Sequence, residues 1–589
     1  MRVDSAEINE ILEIESDEYS SFEFLLPKMP DMKKLAKEYT ALDKPFDRLR
    51  IKHRLFTKEY DRNGTLLSLE PFFIDVRFVY PPKGSKLIEQ YKTSKGSTVQ
   101  IYLLPDEISY MYYLKIPEMH ATFTQIEEFE RDVQTYQKEG ETSSPIVYRW
   151  YRDFGILEYL LYDEQLLEVN VNPPAYKTSI RIVHAKYDEC ISNIYPSDEF
   201  LNYLSMRLKT STGRPFNKAQ PQLDGEIKIG KQRARVAAIM DPFSVYGTAY
   251  SIRKHREDPW TLPLFLKNET VNDIFAGFMS LLISHGRSFL VAGPRGSGKT
   301  SVLGALLLEL LPKYRLITIE DTQELPVDSY KKMGYDIVPL KVRSALSAEG
   351  FELPFDTGLR TSLRLGDSCL ILGEIRSKEA KVLYEAMRVG AMSNVVAGTI
   401  HGDSPYGVYD RVVNDLGVPP GSFKVTDVII IANQIKLPGG QKRVRRILRV
   451  TEVLKDWKDE PVFQDLLVWN AQTDKLEPTK ELLEGKSVVL NQIMSVSKGY
   501  KTYDDILKEI RLRAWTKNLQ IQLAKRDSHL EGKFVMPINI LFTKHFAKIL
   551  PLESEKQMKT FMTSLKKDME RLFFQREVDP KQFIKKNDS

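Results

Sequence analysis

Cysteine is almost missing from this chain: Cys190 and Cys369 are the only two in 589 residues. That excludes a disulfide framework and a four-cysteine zinc site, and it fits a reducing cytoplasm. Long apolar runs are missing as well. No stretch approaches the roughly 20 residues that span a bilayer. Residues 1–7 lack the apolar core of a signal peptide, so any membrane role is expected to be peripheral. A surplus of one charge is also lacking. The 85 basic residues face 80 acidic ones, a net charge of +5. That balance argues against strong, sequence-independent nucleic-acid binding, although local basic patches survive the average. Nor is there an internal repeat or a low-complexity tract. With 42% hydrophobic and 28% charged residues the composition is that of an ordinary folded protein. The length implies three or four domains.

One motif in this ordinary background carries chemistry. Gly293-Pro294-Arg295-Gly296-Ser297-Gly298-Lys299-Thr300 fits G-x-x-x-x-G-K-[ST] in full. The apolar run 288–292 reads as a buried strand entering it, and 301–310, from Ser301 onward, as the helix leaving it. A tight glycine turn lets successive backbone N–H groups face phosphate oxygens at the positive end of that helix. Lys299 adds a point charge, and the Thr300 hydroxyl can ligate Mg²⁺. The pattern predicts a site for a nucleoside triphosphate, with ATP and Mg²⁺ as the expected ligands.

Elsewhere the texture changes along the chain. Residues 1–25 hold eight acids against Arg2 alone, with Ile8, Ile11 and Leu12 at helical spacing. They read as a solvated tail or as a docking helix for a basic partner. Residues 49–113 are β-rich, with Asn63-Gly64 as a hairpin turn and a break at Pro81-Pro82-Lys83-Gly84. A helix is predicted over 122–137. An α/β module follows over about 148–255, with a strand at 179–183, a helix at 197–209 and paired strands at 233–239 and 248–253. Asp258-Pro259 and Leu262-Pro263 mark a linker. Beyond about 485 the chain reads as helical. There Met558, Phe561, Met562, Leu565, Met569, Leu572 and Phe573 form one apolar stripe, by default core and otherwise a membrane-surface or partner helix.

A phosphate loop does not by itself separate a kinase from a motor. Residues 316–319 read as a strand delivering Glu320, Asp321 and Glu324 to its carboxyl end, where ligands gather in an open α/β sheet. Residues 369–373 read as a second buried strand, ending in Glu374. Residues 395–400 form a third, ending in His401. Carboxylates placed so can hold Mg²⁺ through water or orient the attacking water. Arg360, Arg364 and Arg376 offer cations for charge developing in phosphoryl transfer. Singly, each has a bland explanation: solubility at a strand end, a structural histidine, surface ion pairs. It is their order along the chain that argues for one site.

The series G-x-x-G-S-G-K-T, I-T-I-E-D-x-x-E, L-R-x-G-D-x-x-L-I-L-G-E-I-R and A-G-T-I-H-G, over about 290–405, resembles the secretion ATPase family of type II secretion, type IV pili and archaeal surface filaments. Upstream, 163–172, Gly213-Arg214-Pro215, Gln222-Leu223-Asp224-Gly225, Arg235-Val236 and Ser251-Ile252-Arg253-Lys254 are similar to the family's N-terminal domain. Residues 443–453 and 469–476 look like its archaeal branch, the archaellum and pilus assembly motors. The resemblance covers about 148–525.

The resemblance implies that Lys299 and Thr300 contact phosphate and Mg²⁺ within a loop of Gly293, Pro294, Arg295, Gly296, Ser297, Gly298 and Ser301. It implies that Glu324, with Glu320 nearby, polarises the attacking water, that Glu374 holds the metal through water, and that His401 reports the γ-phosphate. Arg235 and Arg253 would close over the nucleotide from the same or a neighbouring subunit, and Arg360 and Arg364 fall in the family's arginine-rich segment. Pro294-Arg295 and Gly366 depart from the family's usual residues, and its bacterial zinc module is absent; none of these removes a required donor or carboxylate.

The expected fold is α/β. It comprises an acidic tail and small β-rich extension (1–120), an α/β N-terminal domain (121–258), a RecA-like ATPase domain (262–484) and a mainly helical C-terminal region (485–589). The family also implies a cytoplasmic homo-hexamer, peripherally associated with the membrane, acting on a polytopic inner-membrane platform protein and indirectly on filament subunits, with no direct nucleic-acid contact. The rivals are a nucleic-acid motor on the same core and a degenerate subunit that binds ATP without hydrolysing it.

Overall fold

The computed structural model describes residues 48–585 except 53–55, 62–65, 72–73, 121–122, 143, 343–368, 377–378, 389–394, 437–442, 553 and 576–577. The acidic stretch 1–25 and the Asn63-Gly64 turn therefore lie outside the described residues, as do Arg360, Arg364 and Gly366. The chain forms two compact units, Met1–His255 and Arg256–Ser589.

In the first unit, β1 (Arg48–Lys52), β2 (Phe56–Asp61), β3 (Leu66–Pro71) and β4 (Val76–Val79) form a meander. Then come β5 (Lys86–Lys92), β6 (Thr98–Leu103), β7 (Tyr110–Lys115), helix α1 (Phe123–Glu139), β8 (Leu166–Val171), β9 (Arg181–His184), β10 (Asp188–Ser192) and β11 (Ile194–Pro196). Helix α2 (Asp198–Thr212), β12 (Gln222–Ile229), β13 (Gln232–Ile239) and β14 (Ala249–His255) complete it. Strand β11 closes the five-stranded sheet β1-β2-β3-β4-β11, and the other nine strands order as β12-β13-β14-β8-β9-β10-β7-β6-β5. The β-rich segment 49–113 thus divides between two sheets. The reason lies in β7, whose Met111, Tyr112, Tyr113 and Leu114 are all buried, so that it needs a partner edge and cover on both faces. It finds the edge in β10, parallel, with Cys190 opposite Tyr110. Helix α2 begins at Ser197, whose hydroxyl accepts the N–H of Phe200, and ends at Gly213.

The second unit opens with helix α3 (Asp273–Ser284), β15 (Phe289–Ala292), α4 (Lys299–Leu307), β16 (Leu316–Glu320), α5 (Val327–Met333), β17 (Ile337–Lys341), β18 (Cys369–Ile375), α6 (Glu379–Arg388) and β19 (Val396–Ile400). It continues through β20 (Val428–Lys436), β21 (Arg443–Val453), β22 (Phe463–Asn470) and β23 (Lys475–Pro478) to helices α7 (Tyr503–Leu523), α8 (Gly532–Phe546) and α9 (Glu555–Phe574). The sheet order is β17-β16-β18-β19-β15-β20-β21-β22-β23, parallel from β17 to β20 and antiparallel beyond. Strands β15, β16 and β19 are buried at every position because both faces of the sheet are covered. Phe289 and Val291 face one core with Leu316, Cys369 and Ile371, while Leu290 and Ala292 face the other with Ile317, Leu370 and Leu372. The α/β class holds: a RecA-like sheet, a β-rich first unit and a helical C-terminal end.

Helix α7 lies against α3 so closely that a Cβ on Gly277 would sit 2.2 Å from the Ile510 carbonyl oxygen. Only glycine permits that backbone approach. Lys517 of α7 is fully enclosed there, donating to Glu309 Oε1 at 2.7 Å and to Asn539 Oδ1 at 2.7 Å, while the Ser280 hydroxyl donates to Glu309 Oε2 at 2.6 Å. The apolar stripe of α9 is core: Phe561, Leu565, Met569, Leu572 and Phe573 are buried against Phe534, Ile538, Phe542 and Phe546 of α8, with Met558 and Met562 partly buried beside them.

Candidate nucleotide-binding site

Strand β15 delivers the chain to the loop, and Gly296 (φ +81°) and Gly298 (φ +90°) take the left-handed conformations that turn it into α4. Lys299 is only 8% exposed, and its ammonium donates to the carbonyls of Gly293 (3.1 Å) and Pro294 (3.0 Å). The Ser297 hydroxyl oxygen is buried and makes no hydrogen bond among the described residues. Pro294 and Arg295 are exposed at the tip, and Ser301 is half-buried in the first turn of α4. An ammonium resting on the carbonyls of its own loop and an unsatisfied hydroxyl beside it suit a phosphate. These residues fit the expected nucleotide.

Because β15, β16, β18 and β19 run parallel, their carboxyl ends share one edge of the sheet. Thr300 donates from its hydroxyl to Glu324 Oε2 at 2.7 Å. Glu320, 2% exposed, accepts the N–H groups of Glu324 (3.0 Å) and Leu325 (3.1 Å) with one oxygen, so it fixes the turn that presents Glu324. Arg376 donates to Asp321 Oδ2 at 2.8 Å and to Glu374, tying the two strand ends together. His401 Nε2 lies 2.8 Å from Glu374 Oε1. Thr300 and the carboxylates of Glu324 and Glu374 are of the type Mg²⁺ uses, since it keeps several waters and takes only one or two protein ligands besides phosphate.

The sequence expectations thus divide. Lys299, Thr300, Glu320, Glu324, Glu374 and His401 come together at this edge. Arg235 and Arg253 belong to the first unit, as register partners on β13 and β14. Arg235 there makes a two-pronged pair with Asp224, Nε to Oδ1 at 3.1 Å and Nη2 to Oδ2 at 2.7 Å, while Arg253 is exposed. Arg445 was not anticipated: its Nε donates to the Gly296 carbonyl at 3.0 Å. Its only sequence signal is the alternation of Arg443 and Arg445 on a strand, which names a face and no partner.

Burial pushes the Glu374 carboxyl upward, but the Arg376 hydrogen bond and charge, then His401 and Lys299, outweigh it and hold the group below its ordinary value. Burial and then the Lys299 charge lower His401, only partly offset by Glu374. Both shifts act in one direction. A depressed histidine is lost as an asset when pH falls below the ordinary 6.5 towards its folded value, and a depressed carboxylate when pH falls below the ordinary 4.5 through its own. Acidification from pH 7 is therefore expected to lower the unfolding midpoint of the nucleotide-free protein in two stages. His401→Gln should lessen the upper stage, to which His184, His285 and His529, also held low by burial, contribute, and Glu374→Gln should lessen the lower, as followed by thermal melts across pH.

Residues 172–453 match the family model described as type II/IV secretion system protein. The chain belongs to this family. An uncharacterised protein of Methanocaldococcus jannaschii is 30% identical over 219 residues, 37% of this chain and 76% of that protein. A second from the same organism is 27% identical over 364 residues, 61% of this chain and 63% of that protein. For a third the match spans 32% of its length. A putative conjugal transfer protein of Mycobacterium tuberculosis is 28% identical over 323 residues, 54% of this chain and 88% of that protein. Among solved structures, the VirB11 ATPase of the Brucella suis type IV secretion system is 22% identical, with TM-score 0.25 over 50% of this chain and 91% of that one. The Legionella pneumophila ATPase DotB is 15% identical, with TM-score 0.36 over 70% and 94%.

Proposed function

We propose that this secretion-family protein is an ATPase motor that hydrolyses Mg²⁺-ATP at the 293–300 loop. The observation that carries this reading is the gathering of Lys299, Thr300, Glu324, Glu374 and His401 at one edge of a parallel sheet, beside an unsatisfied Ser297 hydroxyl. Loop N–H groups and Lys299 bind the β- and γ-phosphates. Glu324 orients and polarises the attacking water. Glu374 holds Mg²⁺ through water together with the Thr300 hydroxyl. His401, whose Nε2 lies 2.8 Å from Glu374 Oε1, responds to the γ-phosphate. Arg235 and Arg253, and Arg360 and Arg364, are proposed as further contacts to the nucleotide.

In this reading the active form is a cytoplasmic homo-hexamer, peripherally bound at the membrane. Its nucleotide-driven motion passes to a polytopic membrane platform protein that assembles a pilus-like or archaellum-like filament or exports protein. No helix among the described residues is long and apolar enough to cross a membrane. The test is phosphate release from Mg²⁺-ATP by the purified chain, with and without single-stranded and duplex DNA. Hydrolysis that DNA does not stimulate supports the motor. Stimulation by DNA would favour a nucleic-acid translocase, and no release at all would reduce the chain to a nucleotide-binding subunit.

A further inference from the structure

Strand β20 runs parallel beside β15, with Ile431 opposite Ala292. The rest of β20 and the facing part of β21 therefore project past the end of β15 along the flank of the phosphate loop. Gln434 and Arg445 are register partners in that projection. The Gln434 side-chain oxygen lies 3.9 Å from where a Cβ of Gly296 would be, and the Arg445 Cδ 3.4 Å from where one of Gly298 would be. The Arg445 guanidinium donates from Nε to the Gly296 carbonyl at 3.0 Å.

We propose that Arg445 is a positioning residue for the phosphate loop, holding the 296–297 peptide so that its N–H faces the triphosphate. The inference rests on the nucleotide site proposed above. In a trans peptide the C=O and N–H point in opposite directions, so holding the Gly296 carbonyl outward turns the Ser297 N–H inward. Among the described residues that N–H makes a long 3.4 Å contact with the Pro294 carbonyl, which a phosphate oxygen can replace. Gly296, at positive φ and without a Cβ, does little to fix this peptide without a clamp. A cationic donor on the carbonyl also polarises the peptide, strengthening the N–H as a donor. Arg445 is exposed, so its role is not to fill the core.

The experiment uses the full chain. Arg445→Ala is expected to weaken Mg²⁺-ATP binding roughly ten- to a hundredfold, the range for a hydrogen bond to a charged group. The KM for ATP should rise in parallel, with kcat at saturation kept within about threefold and the nucleotide-free melting temperature unchanged. Arg445→Lys should recover part of the affinity, since an ammonium can still donate to the carbonyl. Unchanged affinity in Arg445→Ala overturns the proposal. So does a fall in kcat at constant KM, which would put the guanidinium on the reacting phosphate. Lys299→Ala is the control. If it binds nucleotide like the parent, the site itself fails and this inference with it; if it abolishes binding while Arg445→Ala changes nothing, only the inference fails.

Discussion

Lys299→Ala should lower ATP turnover by a factor of roughly 10²–10³, the loss typical when one preorganised donor to a developing anion is removed. The geometry explains why no neighbour substitutes. The Lys299 ammonium is nearly enclosed and fixed by the carbonyls of Gly293 and Pro294, whereas Arg295 is exposed at the tip of the loop. Fold stability should change little, because deleting the side chain also removes the cost of burying its charge. A second readout separates loss of a specific cation from general damage. The Lys299 charge is among the causes lowering both His401 and Glu374. In Lys299→Ala the His401 titration, followed by imidazole resonances, should therefore move upward. Normal phosphate release by this variant would refute the site.

The largest stability effect is expected at Lys517. The residue is 1% exposed, its ammonium is bonded to Glu309 and Asn539, and burial lowers its pKa despite Glu309. Lys517→Ala would leave the carboxylate of Glu309, a residue 4% exposed, with the Ser280 hydroxyl as its remaining donor among the described residues. Stranding a buried charge in this way costs about 3–5 kcal/mol. The double variant Lys517→Met, Glu309→Leu should recover most of it, because a volume-matched apolar pair carries no desolvation penalty. Denaturant titration of the full chain would measure both, and equal destabilisation by the single and double variants would sink the argument.

The phosphate loop and its flanking strand and helix were legible because each rests on a local rule: an all-apolar run entering a glycine turn and a helix leaving it. The carboxylates at 320, 324 and 374 and His401 were legible as strand ends of a parallel sheet. Sequence did not separate Glu320, which holds a turn, from Glu324, which reaches Thr300, because that depends on side-chain direction. Arg445 and Lys517 were illegible for a related reason. A charge on a strand or helix looks solvated until its partner, 149 residues away for Gly296 and 208 for Glu309, is placed beside it. In the same way, the β-rich texture of 49–113 announced strands but could not say that β7 would find its edge in β10.

The contact at Gly277 sets a practical limit on dissecting this molecule. Ile506, Leu507 and Ile510 share one core with Phe275, Phe278 and Leu282, and the backbones of the two segments touch. Cutting the polypeptide near residue 485, where the matched family region has already ended, would strip an oily wall from the very layer that supports the glycine turn. A fragment so shortened should clump rather than bind nucleotide, so the tail is scaffolding for the sheet that carries the phosphate loop and not a detachable accessory.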